Sequence, residues 1–412
     1  MQDFIQILIA EFRDKLNQKL IARDIVLPRI PGKIEVLIGM RRTGKTSFLF
    51  QKIHELLQSG ESIESILYLN FEDDRLLPAD ASKLSEIIDS FYSLFPENHN
   101  RLCHLFLDEI QNVEGWALVI RRIFDSRKVK IYLAGSSAKL LSKEIATSLR
   151  GRSVSIEVWP YSFQEYLRAK KISIEYKIYG QAVRDNVNKH LLEYLNCGGF
   201  PEVVTLEQGA RTQILQDYVD VVTFRDIVER HGITNIILIK YLIRTLLGSH
   251  GRSMSVHKIF NDLKSQGIKV SKNSLHEYIG HINDVYLAFT VPLYSESMRK
   301  VHSNPRKIYA VDTGIVRAFD WKSDRDLGSK FENLVYLYLR RQGNEVYYYL
   351  TEKRYEVDFL TVNRQGEIKL YQACYNASDN KTRGREERAL RDAEQELDVK
   401  GELITMDNFF LM

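Results

Sequence analysis

The 412-residue sequence has little of several features that mark particular classes of protein. It contains only three cysteines, Cys103, Cys197 and Cys374, which lie far apart and show neither metal-binding nor redox spacing. This usage indicates no disulfide framework and favours a reducing compartment. No apolar run approaches the roughly 20 residues that a membrane-spanning helix needs. The N-terminus carries an early acid, Asp3, and no basic segment, so we expect no secretory signal and a cytoplasmic protein.

The charge balance is close to neutral for a chain of this length. The formal net charge is +4, which permits binding to nucleic acid but does not indicate it. Hydrophobic residues make up 44% of the chain and charged residues 27%, as is typical of globular proteins. The length predicts about two to four domains, each large enough to bury a core.

The most informative segment is Gly39–Thr46, which fits the pattern G-x-x-x-x-G-K-[ST] of a phosphate-binding loop. The apolar run Ile34–Ile38 precedes it and a helix-like segment follows it, so a chance glycine-lysine loop is the weaker interpretation. Glycines let backbone N–H groups wrap phosphates, and the helix N-terminus adds partial positive charge. Lys45 is predicted to contact the β- and γ-phosphates, and the Thr46 hydroxyl to bind Mg²⁺. The predicted nucleotide-binding residues of this loop are Gly39, Arg42, Thr43, Gly44, Lys45, Thr46 and Ser47.

A second apolar run, Leu102–Leu107, ends in Asp108 and Glu109. This is the Walker B pattern, in which a buried parallel strand delivers two acids to the nucleotide. Asp108 is predicted to hold Mg²⁺, and Glu109 to orient the attacking water. A strand that ends in a solvated turn has the same pattern. The intervening strand-like segment Ser65–Asn70 favours the nucleotide interpretation.

Two further features point to the γ-phosphate. The strand-like segment Val129–Ala134 leads into a Gly-Ser-Ser sequence, where Ser136 could sense the γ-phosphate or simply form a loop. Arg150 and Arg152 flank a glycine and could stabilise transition-state charge in a neighbouring active site. Ordinary surface arginines have the same local sequence.

Several segments together resemble the AAA-superfamily ATPases of archaea and bacteria that carry a C-terminal domain of unknown function. The segments are Ile38–Thr46, Leu105–Gln111, Ala134–Leu141, Leu149–Arg152 and Gly198–Glu202. The resemblance implies an ATPase core, a helical lid, a winged helix and a degenerate nuclease-like domain, but no particular biological role. The Gly-Gly-Phe-Pro segment is similar to the glycine-proline lid motif of signalling ATPases, which implies that Pro201 packs on the nucleotide base. By its chemistry alone the segment is a turn signal.

We therefore predict an α/β protein built on a doubly wound parallel P-loop sheet, with a helical lid, a winged helix-turn-helix and a C-terminal α/β restriction-endonuclease-like domain. The predicted boundaries are an N-terminal helix over 1–28, an ATPase core over 29–158, a lid over 159–232, a winged helix over 233–300 and a degenerate nuclease-like domain over 301–412.

The winged-helix prediction rests on helix-like segments at Ile236–Leu247, Ser255–Leu263 and Leu275–Val285. The third would be the major-groove reader in a DNA-binding version. Its candidate DNA contacts are Lys269, Lys272, Asn273 and His276. The helix also carries Glu277 and Asp284, so a packing or oligomerisation module is an equal alternative.

The C-terminal segment has the outline of a nuclease site without its complete chemistry. An active site of this type needs Asp, then Glu-x-Lys on the adjoining strand, with two acids holding Mg²⁺. Asp358 is present and Glu332 opens a helix, but Gln372 and Cys374 stand where the glutamate and lysine would be. Hard cations require charged oxygen ligands, so we predict an inactive fold.

The leading functional prediction is an ATPase that uses ATP and Mg²⁺, works as a homo-oligomer and has DNA as a candidate partner, with no membrane association. The alternative is a nucleotide-switched DNA-binding or signalling module with slow hydrolysis. A third possibility is an active nuclease that depends on Asp358.

Overall fold

The computed structural model describes residues 2–17, 19–28, 30–135, 147–173, 180–320 and 326–410. Its internal contacts divide the chain into two compact units, Met1–Trp159 and Pro160–Met412.

The first unit is built on a five-stranded sheet in which every neighbouring pair is parallel. Its strands are β1 (Ile34–Ile38), β2 (Ile66–Asn70), β4 (Cys103–Asp108), β6 (Val129–Ala134) and β7 (Ser153–Glu157), in the order β2-β4-β6-β1-β7. The two-residue strands β3 (Ala79–Asp80) and β5 (Val113–Glu114) pair separately. Every residue of β1 and β4 is buried, as expected of mainly apolar strands that are covered on both faces, and this burial includes the polar side chains of Glu35 and His104.

The helices of the first unit bury one apolar face each. They are α1 (Gln2–Lys15), α2 (Lys45–Gln58), α3 (Ala81–Leu94) and α4 (Trp116–Ser126). Phe48, Leu49 and Ile53 of α2 share one core cluster with Phe106 and Tyr132 of the sheet. The last two rings stack with centroids 4.3 Å apart and an interplanar angle of 2°. This packing fixes α2, and with it the loop from which α2 begins.

The N-terminal helix predicted over 1–28 ends at Lys15. The described residues 19–28 have no regular structure, although Leu20 and Ile25 pack against the core cluster around α2. The reason lies with Arg23, which is 5% exposed and whose guanidinium donates to the backbone oxygens of Thr43 (2.7 Å) and Trp159 (2.6 Å). These tertiary contacts outweigh the local amphipathic pattern, so the segment does not continue as a helix.

The second unit begins with helices and ends in an α/β layer. Its helices are α5 (Phe163–Ala169), α6 (Gln181–Cys197), α7 (Gln208–Val221), α8 (Ile236–Leu247), α9 (Val256–Ser265), α10 (Lys272–Asp284), α11 (Met298–Ser303), α12 (Thr313–Phe319), α13 (Leu327–Arg341), α14 (Asn380–Leu397) and α15 (Met406–Phe409). A π-helix (Val222–Val228) and a final α-helical turn (Glu229–His231) continue α7.

Helices α8 to α10 accompany a three-stranded antiparallel sheet of β8 (Arg252–Met254), β9 (Ala288–Val291) and β10 (Arg306–Ala310), in the order β8-β10-β9. Helix α8 has the predicted bounds, whereas α10 begins three residues before the predicted Leu275 because the Ser271 hydroxyl caps it by accepting from Ser274 N. The predicted domain boundary after residue 300 falls within α11. Strand β10, beyond that boundary, pairs with β9, since backbone pairing and not chain order decides sheet membership.

A four-stranded sheet closes the chain. Its strands are β11 (Glu345–Leu350), β12 (Glu356–Val362), β13 (Ile368–Cys374) and β14 (Gly401–Thr405). Strand β12 is antiparallel to both β11 and β13, and β14 is parallel to β13. Helix α14 contributes Ala389, Leu390 and Ala393 to the apolar cluster over this sheet.

The Gly-Gly-Phe-Pro segment follows α6 and is held by a fully buried carboxylate. Asp312 accepts hydrogen bonds from the backbone nitrogens of Gly199 (2.6 Å), Gly314 (2.8 Å) and Ile315 (3.2 Å). Burial raises the pKa of Asp312 to about 6 even though these N–H groups favour the charged form. A Cβ on Gly199 would lie 2.3 Å from the backbone oxygen of Tyr161, so only glycine fits.

This packing predicts a large difference between two glycines of the second unit. Gly199→Ala should lower the free energy of unfolding by about 1–3 kcal/mol or more, because the atom in the way is backbone. Gly209→Ala is the matched control, since a Cβ there meets nothing within 4 Å. It should be neutral or stabilise α7 by about 0.5–1 kcal/mol. Urea unfolding measures both, and equal midpoints for the two variants would contradict the assignment.

Candidate nucleotide-binding site

The loop between β1 and α2 has a backbone that glycine makes possible. Gly39 has a φ of 150° and Gly44 a φ of 94°, while Arg42 is a non-glycine residue at 66°. A Cβ on Gly39 would lie 2.2 Å from the backbone oxygen of Val158. The loop therefore passes close to the chain that follows β7, and α2 begins immediately after it at Lys45.

The lysine of the loop lies within its curve. Lys45 is 5% exposed, and its Nζ donates to the backbone oxygens of Gly39 and Met40, both at 3.0 Å. The Thr43 hydroxyl also donates to Met40 O (2.9 Å). Arg42, Thr46 and Ser47 are exposed. The start of α2 thus has backbone N–H groups and a buried ammonium in the same loop, which are the groups that bind phosphate.

Asp108 ends strand β4 and is 1% exposed. The Thr46 hydroxyl donates to its Oδ2 at 2.5 Å, and the Tyr68 hydroxyl donates to the same atom at 3.3 Å. Burial raises the pKa of Asp108 to about 6, against the opposing effect of the Thr46 hydrogen bond. Strand β6 separates β1 from β4, so the side chain of Thr46 connects the loop to a strand that is not its neighbour.

Glu109 follows in a left-handed conformation with a φ of 52°. Its backbone nitrogen donates to Asp108 Oδ1 at 3.2 Å, and its carboxylate accepts from the Gln111 side-chain amide. The hydrogen bond from Gln111 holds the carboxylate of Glu109. The position of the Glu109 carboxylate is therefore set within the turn Glu109–Gln111.

The donors present fit a hard divalent cation bound together with a nucleotide. A threonine hydroxyl and a carboxylate lie side by side, and Mg²⁺ commonly takes only one or two protein oxygens, with water and phosphate completing its shell. In the described ranges, no group of three or more His, Cys, Asp or Glu side chains is arranged to hold a metal ion alone. Thr46 and Asp108 are thus the residues that could hold Mg²⁺.

The two predicted finger arginines lie at the other end of the sheet. Arg150 and Arg152 precede β7, which runs parallel to β1 with Ser153 opposite Ile34, whereas the phosphate loop follows Ile38. Four residue steps of about 3.3 Å, from Ile34 to Ile38, separate the two ends of the sheet by about 13 Å. This distance is more than an arginine side chain spans. Arg150 is exposed, and Arg152 forms two hydrogen bonds to Asp125 (2.8 and 2.9 Å). Neither can serve the site of its own chain, so only action on a neighbouring copy remains of the prediction.

Two other predicted residues, Ser136 and Pro201, stay predictions. Ser136 lies outside the described residues. Pro201 belongs to the second unit, beside the glycines that Asp312 holds.

Sequence reasoning missed three residues around the site. Tyr68 could have been found, because parallel pairing sets Asn70 opposite Asp108 and so brings the end of β2 beside this acid. Gln111 could have been found from its position two residues after Glu109. Arg23 carries no local signal, since its acceptors lie 20 and 136 residues away.

Comparison with known families agrees with this geometry. Residues 31–167 match a family described as an AAA domain, and residues 188–326 match a domain of unknown function, DUF8612. The parallel sheet, the glycine-lysine loop and the family match together identify residues 31–167 as a P-loop domain of the AAA class. In the described parts of the chain, every helix falls short of the length and apolarity that a bilayer span requires.

Relatives extend over most of the chain. The uncharacterized protein MJ1544 of Methanocaldococcus jannaschii is 37% identical over 92% of this chain and 83% of its own length. An uncharacterized protein of Haemophilus influenzae is 30% identical over 84% of each chain. The chain therefore belongs to the family that includes MJ1544.

Solved structures show weaker likeness. The Aeropyrum pernix ORC2 protein, solved as ADPNP-ADP complexes, has 12% identity over 72% of this chain and 89% of that chain, with a TM-score of 0.37. AMPPCP-bound DnaA from Aquifex aeolicus has 16% identity over 66% of this chain and 85% of that chain, with a TM-score of 0.26. Superpositions of this quality do not position individual residues.

The raised pKa of Asp108 predicts that this residue destabilises the nucleotide-free fold. Above pH 6 the folded state must hold a buried negative charge that the unfolded state leaves in water. Asp108→Asn keeps an oxygen acceptor for Thr46, so at pH 7.5 it should raise the free energy of unfolding by roughly 1–3 kcal/mol. The gain should shrink as the pH falls from 6 towards 4, where the wild-type carboxyl is protonated when folded.

Urea unfolding without nucleotide, at pH 7.5 and pH 4.5, measures this effect. Asp125→Asn is the matched control, because the hydrogen bond from Arg152 lowers the pKa of the exposed Asp125 and the substitution should not stabilise. Destabilisation by Asp108→Asn at pH 7.5 would contradict the prediction.

Proposed function

We propose that this protein is an ATPase that binds and hydrolyses ATP with Mg²⁺ as a homo-oligomer in the cytoplasm. The observation that carries the proposal is the 2.5 Å contact between the Thr46 hydroxyl and the buried Asp108 carboxylate. It joins a glycine-lysine loop to the acid of a second strand, and this pairing serves the metal of a nucleoside triphosphate. The match of residues 31–167 to an AAA domain supports the same conclusion.

Each residue has a distinct task in this proposal. The loop from Gly39 to Ser47 surrounds the phosphates, and the Lys45 ammonium offsets their charge. Thr46 and Asp108 hold Mg²⁺, which when bound neutralises charge on the phosphate oxygens. Glu109 orients the attacking water, and Gln111 controls where the carboxylate of Glu109 points.

The remaining assignments concern parts of the chain away from this loop. Arg150 or Arg152 completes the site of a neighbouring copy, which is why the active form is an oligomer. Ser136 senses the γ-phosphate, and Pro201 packs on the base from a lid over 159–232. The helices α8 to α10 and the strands β8 to β10 form a winged helix. The remainder is a degenerate restriction-endonuclease-like domain, without nuclease activity.

The decisive test separates nucleotide binding from turnover. Glu109→Gln should leave ATP affinity unchanged and reduce hydrolysis by about 10²–10⁴-fold, because the carboxylate that orients water is removed. Lys45→Ala should instead weaken ATP binding. Lys52→Ala, on the same helix but paired with Glu55, is the matched control and should change neither property.

Equilibrium binding of a fluorescent ATP analogue and phosphate release measure the two properties. Wild-type turnover by Glu109→Gln would remove that residue from its assigned task. Retained affinity in Lys45→Ala would overturn the nucleotide site itself. Tight binding with negligible wild-type turnover would favour the slow nucleotide switch.

A second function, binding of duplex DNA, is favoured by the surface of α10. Lys269, Lys272, Asn273 and His276 are all exposed around the N-terminal end of this helix. Glu277 is exposed beside them and limits the positive charge. A basic helix start with an amide and an imidazole suits contacts to phosphates and base edges.

The double substitution Lys269→Ala/Lys272→Ala should weaken binding to duplex DNA. It should also reduce the salt dependence of binding by about one unit of slope for each phosphate that the variant no longer neutralises. Lys189→Ala/Lys369→Ala removes two exposed lysines elsewhere in the second unit and should bind as wild type. Fluorescence anisotropy at salt concentrations from about 50 to about 200 mM measures both variants, because affinity falls steeply over that range. Wild-type binding by the first variant would exclude α10 as the DNA-binding surface.

A further inference from the structure

Two histidine rings from different elements of the second unit lie face to face. His231 ends the helical turn Glu229–His231 that follows the π-helix, and His281 belongs to α10. The ring centroids are 3.6 Å apart, and the ring planes are inclined by 18°. This stack of imidazoles therefore joins the end of the helical segment that continues α7 to α10.

The two rings have different surroundings. His231 is exposed, whereas the side chain of His281 is only 13% exposed. His281 Nε2 is buried and has no hydrogen-bond partner among the described residues. Glu277 Oε1, on the preceding turn of α10, lies 3.7 Å from this nitrogen, which is longer than a hydrogen bond. A proton on His281 Nε2 would therefore be a buried donor without an acceptor.

The titratable and charged groups that face the stacked rings come from both elements. They are Arg230 of the helical turn and Glu277, Tyr278 and Asp284 of α10. Burial, followed by the charges of His281 and Arg230, lowers the pKa of His231. Burial also lowers the pKa of His281, although the charge of Glu277 opposes this effect. The surroundings as a whole therefore favour neutral rings.

Stacked imidazoles accommodate one positive charge better than two. A single imidazolium lies against the face of a neutral aromatic ring, which attracts cations. A second proton places two unit charges less than 4 Å apart. Even in bulk water, the repulsion at this separation weakens binding of the second proton about fivefold.

We propose that His231 and His281 form a pH-sensitive junction, which holds the helical turn against α10 while at most one ring is charged and opens when both are. The direction of the pH dependence follows from the lowered pKa values, because on acidification the unfolded chain takes up protons before the folded chain does. The stability that the pair contributes is complete above about pH 7, and it is lost as the pH falls from about 6.5 through the lower pKa values of the folded chain.

The junction connects two parts of the chain that have different tasks in the proposed function. The helical turn ends the proposed lid over 159–232, and α10 carries the exposed Lys272 and His276 of the proposed DNA-binding surface. Acidification should therefore release α10 from the end of the lid. The junction itself does not depend on binding of ATP or DNA, so its test uses neither ligand.

Amide hydrogen exchange of the full chain without nucleotide measures the opening. Between pH 7.5 and pH 5, the wild-type protection factors of residues 229–232 and 278–284 should fall at least about tenfold more than those of α14. His281→Phe keeps a stacked ring that takes up no proton, so its protection should change no more than that of α14. His257→Phe is the matched control, because the exposed His257 of α9 contacts Asn261 instead (3.1 Å), and this variant should behave as wild type.

Titration of the histidines by NMR is the second measurement. The wild-type pair should titrate in two steps, with the second proton bound at least about fivefold more weakly than the first. His231→Phe replaces the exposed ring of the pair, and its His281 should titrate in one step. This variant should also lose the pH-dependent opening, so it replaces His281→Phe in both experiments if the latter does not fold.

Three results would overturn the proposal. Titration of both wild-type rings at the ordinary histidine value would show that they do not interact. An equal loss of protection in wild type and in the phenylalanine variants would show that other groups open the segment. A gain of wild-type protection at pH 5 would show that Glu277 moves to accept from a charged His281 and closes the junction instead.

Discussion

A buried carboxylate at the end of β4, bonded to a hydroxyl at the start of α2, is the constraint on which the first unit depends. The parallel sheet places β6 between β1 and β4, so no backbone pairing can join the two strands that carry the site. The Thr46 side chain makes that connection, and the packing of Phe48 and Leu49 holds α2 where the hydroxyl meets Asp108. Burial disfavours the ionised form of Asp108 in the nucleotide-free fold. In the function that we propose, the same carboxylate holds Mg²⁺, so stability and the proposed function would oppose each other at this residue.

Buried charge also organises the second unit, where the chain supplies its own counter-groups. Asp312 is stabilised by backbone N–H groups and in return fixes the glycines after α6. Lys330 is fully buried and donates to Asn196 at 2.8 Å, so α13 also holds the end of α6. Lys307 holds acids from α13 and β12. Buried ions without partners are strongly destabilising, so each of these contacts specifies one arrangement of the elements that it joins.

Elements that depend on local sequence could be predicted, whereas those that depend on contacts between distant parts of the chain could not. The strand before the phosphate loop and the bounds of α8 were predictable, because mainly apolar runs and helical periodicity are local signals. The helix over 1–28 was wrong beyond Lys15, because Arg23 finds acceptors far along the chain. The assignment of β10 depended on pairing with β9, which no local pattern reports.

The sequence by itself determined the chemistry that the loop can carry. Glycines, a lysine, a threonine and a pair of acids are recognisable because phosphate binding demands those residue types at fixed spacing. Only the tertiary structure decided which charges meet. It set Arg150 and Arg152 at the end of the sheet opposite the loop. It also brought Lys307 of β10 beside Asp358, an acid for which the nuclease-like pattern supplies no lysine. Spacing along the chain reports local geometry, whereas the neutralisation of a buried charge depends on whichever group the fold carries to it.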